Sequence, residues 1–327
     1  MSYRSSPKEG SLSSTSRKRS TKTTRPIPVL SESRIVTNII KLLEHCTGVG
    51  LRPDDVFSDW LALINALLEM EPKHAQALAE TGQFAPDTHE TTELLARLRR
   101  TYPHRAGAKI QYLEYFVQAF AELRSSTLLG YEDIIGCIYM QWGWPNDRLG
   151  QYFTPMAVAK MMATITIGDG RAEVHRRLEA AIAESPAAQA ALLAGTMLES
   201  EVAHAWLVAR VIPYAIAHYK PLTIADCCCG SGVMVLAAAE NFDPWMNQLG
   251  LVQYYGQDVD DTCVLMARIN VQLYGLNGHA RWQVMRHAEA VLRHSGMREH
   301  DVQPDEVVPV QHVIPFPDRT GETQEAA

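Results

Sequence analysis

Apolar side chains recur at the spacing of an α-helix through the first part of the chain. The clearest stripe contains Val56, Trp60, Leu63, Ile64 and Leu67. The same spacing predicts further helices, which gives a set at about 35–48, 55–70, 89–101, 106–124 and 131–142. Alternating strand patterns are lacking in this part of the sequence. The segment 31–145 is therefore predicted to be an α-helical domain.

The pattern changes after about residue 220, where short apolar strands alternate with helices. Strands are predicted at 223–226 and 254–258, with helices after them at 233–240 and 261–274. This rhythm favours a parallel α/β sheet with right-handed crossovers. Two further strand candidates follow, at 281–285 and 307–314.

Two helical stretches precede the first strand, at 155–166 and 171–218, and the second is broken near Pro186 and Pro213. Together with the strands they predict a Rossmann-like domain over 146–315 that carries a helical insertion at 168–219.

Both ends of the chain are polar, so 1–30 and 316–327 are predicted to be disordered tails. The first 34 residues hold eight Lys/Arg and two Glu, a net charge of +6, whereas the whole chain carries −7. The remainder is therefore at −13. Such a basic tail is either a nucleic-acid-binding arm or a solvated tail. The acidic body argues against a large DNA-binding face of its own.

Composition excludes several classes of protein. Apolar residues make up 46% of the chain, which is ordinary for a globular protein, and no apolar run reaches the roughly 18 to 20 residues of a membrane span. The basic amino terminus does not resemble a secretory signal. Three of the six cysteines are adjacent, at 227–229, which suits neither a disulfide framework nor a zinc site. We expect no metal site, no membrane and a reducing cytoplasm.

A glycine-rich turn separates the first predicted strand from its helix. The segment reads Asp226, three cysteines, Gly230, Ser231 and Gly232. Glycines let a ligand approach the backbone closely, and the helix that follows offers free N–H groups. The segment is either a tight structural turn or a site for a nucleotide-like cofactor at the carboxyl ends of parallel strands.

An acidic side chain ends the next predicted strand. Either Asp258 or Asp260 is placed there to accept hydrogen bonds from both hydroxyls of a ribose. The alternative is a helix cap, and Asp260 is expected to cap the helix that follows.

The segment Gly-Gln-Tyr-Phe-Thr-Pro at 150–155 supplies a third element. Thr154 suits an N-cap and Pro155 a first helical residue. Tyr152 and Phe153 are either buried anchors or rings that stack on an adenine.

Together, these elements resemble the N6-adenine DNA methyltransferases of the type I restriction modification-subunit kind, above all their short phage and mobile-element members. Such proteins place a helical domain before a GQxFTP segment, then a DPxCGSG-like turn, then a GQ-acid-x-D strand end. The chain matches at 150–155, 226–232 and 256–260, and 133–140 resembles the helix that leads in. The order of the motifs makes the resemblance specific.

The resemblance implies an S-adenosyl-L-methionine-dependent DNA adenine-N6 methyltransferase of a restriction-modification or mobile-element system, acting on double-stranded DNA. Its fold would be a helical domain plus a Rossmann-like cofactor domain. Three groups of residues would bind the cofactor: Tyr152, Phe153 and Thr154 would line the site, Asp226, Cys228, Gly230 and Gly232 would hold the methionine part, and Asp258 and Val259 would contact ribose and adenine. The cysteines, which replace the family's proline and small residue, are expected to be neutral packing.

The family's Asn/Asp-Pro-Pro-aromatic motif, which holds a flipped adenine, is missing from the sequence. The nearest match follows the last predicted strand, where Phe316 offers stacking and Asp318 an acceptor. Too few residues follow 314 to complete a seven-stranded sheet. Three alternatives result: a partner subunit completes the active site, the fold is minimal, or the chain is a catalytically inactive module that binds cofactor and DNA or a partner.

Overall fold

Helices dominate the computed structural model, which describes residues 32–142, 153–278 and 281–296 of the chain. The first described segment holds five α-helices: α1 (Glu32–Glu44), α2 (Pro53–Thr81), α3 (His89–Thr101), α4 (Tyr112–Ser125) and α5 (Ile134–Gln141). Short 3-10 turns follow α1, at His45–Val49, and α4, at Ser126–Leu129. The predicted helical character of this part of the chain is confirmed.

Two helix boundaries in this segment differ from the prediction by more than five residues. α2 continues to Thr81 instead of ending at 70, with Pro72 inside the helix. α4 begins only at Tyr112, because a capping box fixes its start: the side chains of Gln111 and Glu114 each accept from the other residue's backbone N–H,.

The second described segment begins with helices that lead to the sheet. They are α6 (Met156–Ile167), α7 (Gly170–Glu184), α8 (Pro186–Gly195), α9 (Ser200–Trp206) and α10 (Ile212–Ala215), the last two joined by a π-helical turn at Leu207–Val211. The predicted break at Pro186 is confirmed, since Ser185 caps α8 through the backbone N–H of Ala188.

A two-stranded parallel sheet follows, formed by β1 (Leu222–Asp226) and β2 (Val252–Gly256), and it pairs Leu222 with Val252 and Asp226 with Gly256. The connection runs through α11 (Val233–Ala239) and α12 (Pro244–Gln248), and α13 (Asp261–Leu273) follows β2. Both strands and their parallel pairing were predicted, although β2 begins and ends two residues earlier than expected. They are the whole sheet within the described residues.

The strand predicted at 281–285 is wrong, because these residues begin the helix α14 (Arg281–His294). Helical spacing places Met285, Ala288 and Leu292 against the core around the sheet. The side chain of Glu289 on this helix forms an ion pair with Arg210. The candidate strand at 307–314 and both predicted tails lie outside the described residues.

The described residues lie in one compact unit and contain two hydrophobic cores. One core is formed by the five helices from α1 through α5, and α13 contributes Cys263, Met266 and Ile269 to it. The other surrounds the sheet and α6 to α11. The division into domains near residue 145 falls in a segment that is not described and stays a prediction. No helix in the described parts is both long and apolar enough to cross a membrane.

Candidate functional site

The glycine turn connects β1 to α11 through a backbone that only glycine adopts readily. Gly230 and Gly232 have φ angles of 52° and 91°, which lie in the left-handed region. A Cβ atom on Gly232 would lie 3.2 Å from the Cα of Ala267. The second glycine therefore lets the turn lie directly against α13.

Backbone hydrogen bonds tie this turn to the end of β2. The N–H of Gln257 donates to the carbonyl of Asp226, and the N–H of Cys229 donates to the carbonyl of Gln257, both at 2.9 Å. Oδ1 of Asp226 accepts from the N–H of Cys228 at 3.0 Å. The carboxyl ends of the two strands therefore form one continuous surface.

Asp258 belongs to this surface, whereas Asp260 caps the start of α13. Oδ2 of Asp258 accepts from the N–H of Gly230 at 2.9 Å, and its Oδ1 accepts from the N–H of Asp260 at 3.0 Å. Oδ1 of Asp260 accepts from the N–H groups of Thr262 and Cys263 at 2.7 and 3.2 Å. The predicted cap is confirmed, which leaves Asp258 as the acid at the turn.

The three cysteines of the turn lie in different environments, so the expectation of neutral packing is wrong for two of them. Only Cys229 is buried, and burial raises the pKa of its thiol to about 12. Cys227 and Cys228 are exposed. A hydrogen bond with the Cys227 side chain, followed by the neighbouring negative charges, raises the pKa of Cys228.

Phe153 lies against the glycine turn. Its ring stacks on that of Tyr139, with 5.5 Å between centroids and an angle of 20°. A Cβ atom on Gly230 would lie 3.2 Å from the Phe153 ring, so glycine at this position favours the close approach of the ring. Thr154 is half-buried beside it. α6 begins one residue later than predicted, with Pro155 in the N-cap position.

The remaining predicted residues are less closely tied to the turn. Val259 is 71% exposed, next to Asp258. Tyr152 and both catalytic candidates, Phe316 and Asp318, lie outside the described residues. Within the described ranges no group of three or more His, Cys, Asp or Glu side chains is arranged to hold a metal ion.

Sequence reasoning missed three residues that meet behind the turn: Asp133, Ser231 and Asn270. The sequence contains a signal for one of the three. Asn270 is a polar residue among the apolar side chains that α13 buries, and its exposed fraction is 1%. A buried amide of this kind requires polar partners. Its partners, Asp133 at 137 residues' separation and the backbone carbonyl of Ser231 at 39, carried no local signal.

The comparisons with known proteins bear on the same segment. No curated protein and no solved structure matches the chain significantly. A family model described as N-6 DNA methylase matches residues 206–309. The match contains both strands, the glycine turn, Asp258 and α13. The resemblance to N6-adenine DNA methyltransferases is thereby confirmed over residues 206–309, which include the glycine turn and the end of β2 but not the GQYFTP segment.

Proposed function

We propose that the chain binds S-adenosyl-L-methionine beside the glycine turn and takes part in methylating adenine N6 in double-stranded DNA. The observation that carries the proposal is the convergence of Phe153, Gly230 and Asp258 from three separate parts of the chain. The family match over residues 206–309 supports DNA methylation as the reaction class.

The residues present fit a cofactor that contains a nucleoside. Gly230 and Gly232 leave the backbone of the turn without side chains, so a ligand can approach it closely. Asp258 is half-buried at the strand end, and its carboxylate retains lone pairs for the ribose hydroxyls,. The exposed Val259 side chain would contact the adenine, and Tyr152, Phe153 and Thr154 would line the site. Asp226 and Cys228 would lie beside the methionine part.

The cofactor would supply an activated methyl group, and the chain would supply its position. Transfer to an exocyclic amine also needs an acceptor about 3 Å from that amine and a closed, dry pocket. Phe316 and Asp318 are the nearest sequence candidates for stacking and acceptance. We therefore expect the isolated chain to methylate DNA slowly or not at all.

In the first proposal, a partner subunit completes the active site by supplying the acceptor and closing the pocket. Support comes from α6, whose outward side carries Val158, Met161, Met162 and Ile165, each between 42% and 76% exposed. These positions follow helical spacing and form a continuous apolar stripe. Contiguous exposed apolar surface of this kind is typical of a protein–protein contact.

The second candidate is a catalytically inactive module that binds cofactor and DNA or a partner in a restriction-modification or mobile-element system. The absent Asn/Asp-Pro-Pro-aromatic motif favours it. Radiolabelled methyl transfer to mixed-sequence DNA separates the two. Activity that emerges on addition of a partner subunit supports the first proposal. Robust N6-methyladenine formation by the purified chain alone contradicts the need for a partner.

Calorimetric titration with S-adenosylmethionine and its demethylated product tests cofactor binding directly. Asp258→Ala should weaken binding by about 1 to 3 kcal/mol, the scale for a charged hydrogen-bond partner. Asp87→Ala, in an exposed loop before α3, is the matched control and should leave affinity unchanged. Absence of binding of either ligand at millimolar concentration would refute the proposal.

DNA binding by the basic tail has its own test. If the tail's Lys and Arg side chains contact phosphates, log affinity should fall with log salt by about 0.9 per contact. Deleting residues 1–28 should then flatten that slope. An unchanged slope would identify the tail as a solvated linker.

A further inference from the structure

Three buried polar side chains meet directly behind the glycine turn. Asp133 precedes α5, Ser231 is in the turn, and Asn270 is on α13, with exposed fractions of 6%, 0% and 1%. The Ser231 hydroxyl donates to Oδ2 of Asp133. The Asn270 amide donates to Oδ1 of Asp133 at 2.9 Å and to the backbone carbonyl of Ser231 at 2.8 Å. The turn is thus held through both a side chain and its backbone.

The same carboxylate also fixes the start of α5. Oδ1 of Asp133 accepts from the N–H of Gly136 at 2.9 Å, as an N-cap does,. A Cβ atom on Gly136 would lie 2.6 Å from the Ser231 hydroxyl oxygen. A helix start, the glycine turn and α13 therefore share one acceptor group, and only glycine at 136 leaves room for it.

We propose that Asp133 is a positioning residue for the cofactor site, an inference that rests on the proposed function. Its carboxylate holds Ser231, and Ser231 lies between Gly230 and Gly232, the two glycines that shape the cofactor surface. Binding surfaces reach full affinity only when the groups behind them are held by packing and hydrogen bonds. The helix α5 is thereby part of the support of the cofactor site.

The test compares three variants with the unaltered full chain. Asp133→Ala removes the acceptor from all three donors. Asp133→Asn keeps one carbonyl oxygen for Gly136 and Asn270, and its amide can donate to a rotated Ser231 hydroxyl. Asp59→Ala is the control, because Asp59 is a buried aspartate in α2, 8% exposed, that accepts from Arg97 at 2.6 Å and Tyr102 at 3.0 Å.

Two measurements are made on each variant, at a temperature well below its unfolding transition. Calorimetry gives the dissociation constant of S-adenosylmethionine, and hydrogen–deuterium exchange follows the backbone amides of 226–240 without cofactor. We expect Asp133→Ala to weaken affinity by about tenfold or more, because buried donors lose their acceptor. Its turn amides should exchange faster. Asp133→Asn should recover most of both losses, and Asp59→Ala should change neither.

Equal affinity losses in Asp133→Ala and Asp59→Ala would overturn the inference, since both would then reflect general destabilisation. If Asp133→Ala does not fold, Ser231→Ala, which removes a single hydroxyl, replaces it with the same expectations. If the unaltered chain binds no cofactor, the proposed function fails. The exchange measurement alone then decides whether Asp133 positions the glycine turn. Faster exchange confined to the Asp133 or Ser231 variant then supports a positioned turn, and unchanged exchange refutes it.

Discussion

The helical region and the region around the sheet bury their apolar surface in different ways. The core of α1 to α5 contains large side chains such as Trp60, Phe57 and Phe116, and Ala119 is the single alanine among its described members. Alanine is the commonest residue in the core around the sheet. The first core is thus filled by large side chains, whereas the second depends on close approach of backbones.

The two regions also differ in the apolar surface that they leave exposed. In the helical region the exposed apolar residues are scattered over separate elements, as with Leu78, Val117 and Leu128. Around the sheet, α6 buries Ala159 and Ala163, and it leaves larger apolar residues on its outward side. Scattered apolar residues are normal, but a stripe along one helix is not. Among the described residues, the helical region therefore shows no comparable apolar stripe, while the sheet region presents a surface suited to a further contact.

Truncation in the helical core should produce the largest loss of stability. Trp60 is fully buried, and its indole N–H donates to the carbonyl of Phe116 at 3.2 Å. We expect Trp60→Ala to lower the free energy of unfolding by about 3 to 5 kcal/mol, measured by denaturant titration. Val117→Ala, at a position that is 56% exposed, should change it by less than about 0.5 kcal/mol. A Trp60 loss no larger than the Val117 loss would contradict the comparison.

Adding a methyl group to a closely packed glycine, by contrast, should destabilise the region around the sheet. A Cβ atom on Gly195 would lie 2.6 Å from the Trp206 ring. Gly195→Ala should therefore lower the free energy of unfolding by about 1 to 3 kcal/mol, as overpacking does. Gly48→Ala is the control, since its Cβ atom would lie 3.4 Å from the nearest atom. If the two substitutions have equal effects, close backbone packing does not distinguish the sheet region.

The smallest expected effect concerns a surface ion pair that links α7 to the start of β1. Hydrogen bonds from Arg176 and then Arg177 lower the pKa of Glu173 to about 2. Arg177 also donates to the carbonyl of Pro221 at 2.9 Å. A lowered pKa gives stability that is present above the unfolded value of 4.5 and is lost as the pH falls through about 2,. Thermal melts of Glu173→Gln between pH 6 and pH 2 should show a slightly weaker dependence on pH. An unchanged dependence would show that solvent screens the pair.

Local patterns were sufficient to predict most elements and one part of the site. The α3 boundaries followed from apolar spacing, and Thr88 caps that helix through the N–H of Thr91. Because parallel strands place their carboxyl ends at one edge of a sheet, the contact between Gly230 and Asp258 was foreseeable from the motif order. Both predictions needed only short stretches of sequence.

Errors arose where distant contacts decide the structure. The segment 281–285 alternates like a strand, but it forms a helix because Ala288 and Leu292 on the following turns are buried. The meeting of Asp133 with Ser231 and Asn270 depends on the packing of α5 against α13, which no local pattern encodes. The prediction that all three cysteines are neutral packing was likewise wrong for two of them, because the burial of one residue in a turn does not determine the burial of its neighbours.

The two exposed thiols of the turn give the molecule a chemical reporter of ligand occupancy. Cys227 and Cys228 are exposed, whereas the thiol of Cys229 is buried, so of these three thiols an alkylating reagent should reach only the first two, and the raised pKa of Cys228 should slow its reaction,. A ligand seated on the turn would shield them. Because Cys137 is also partly exposed, the rate of labelling at Cys227 and Cys228 is followed by peptide mass spectrometry, and it would then report ligand occupancy even in a chain that transfers no methyl group.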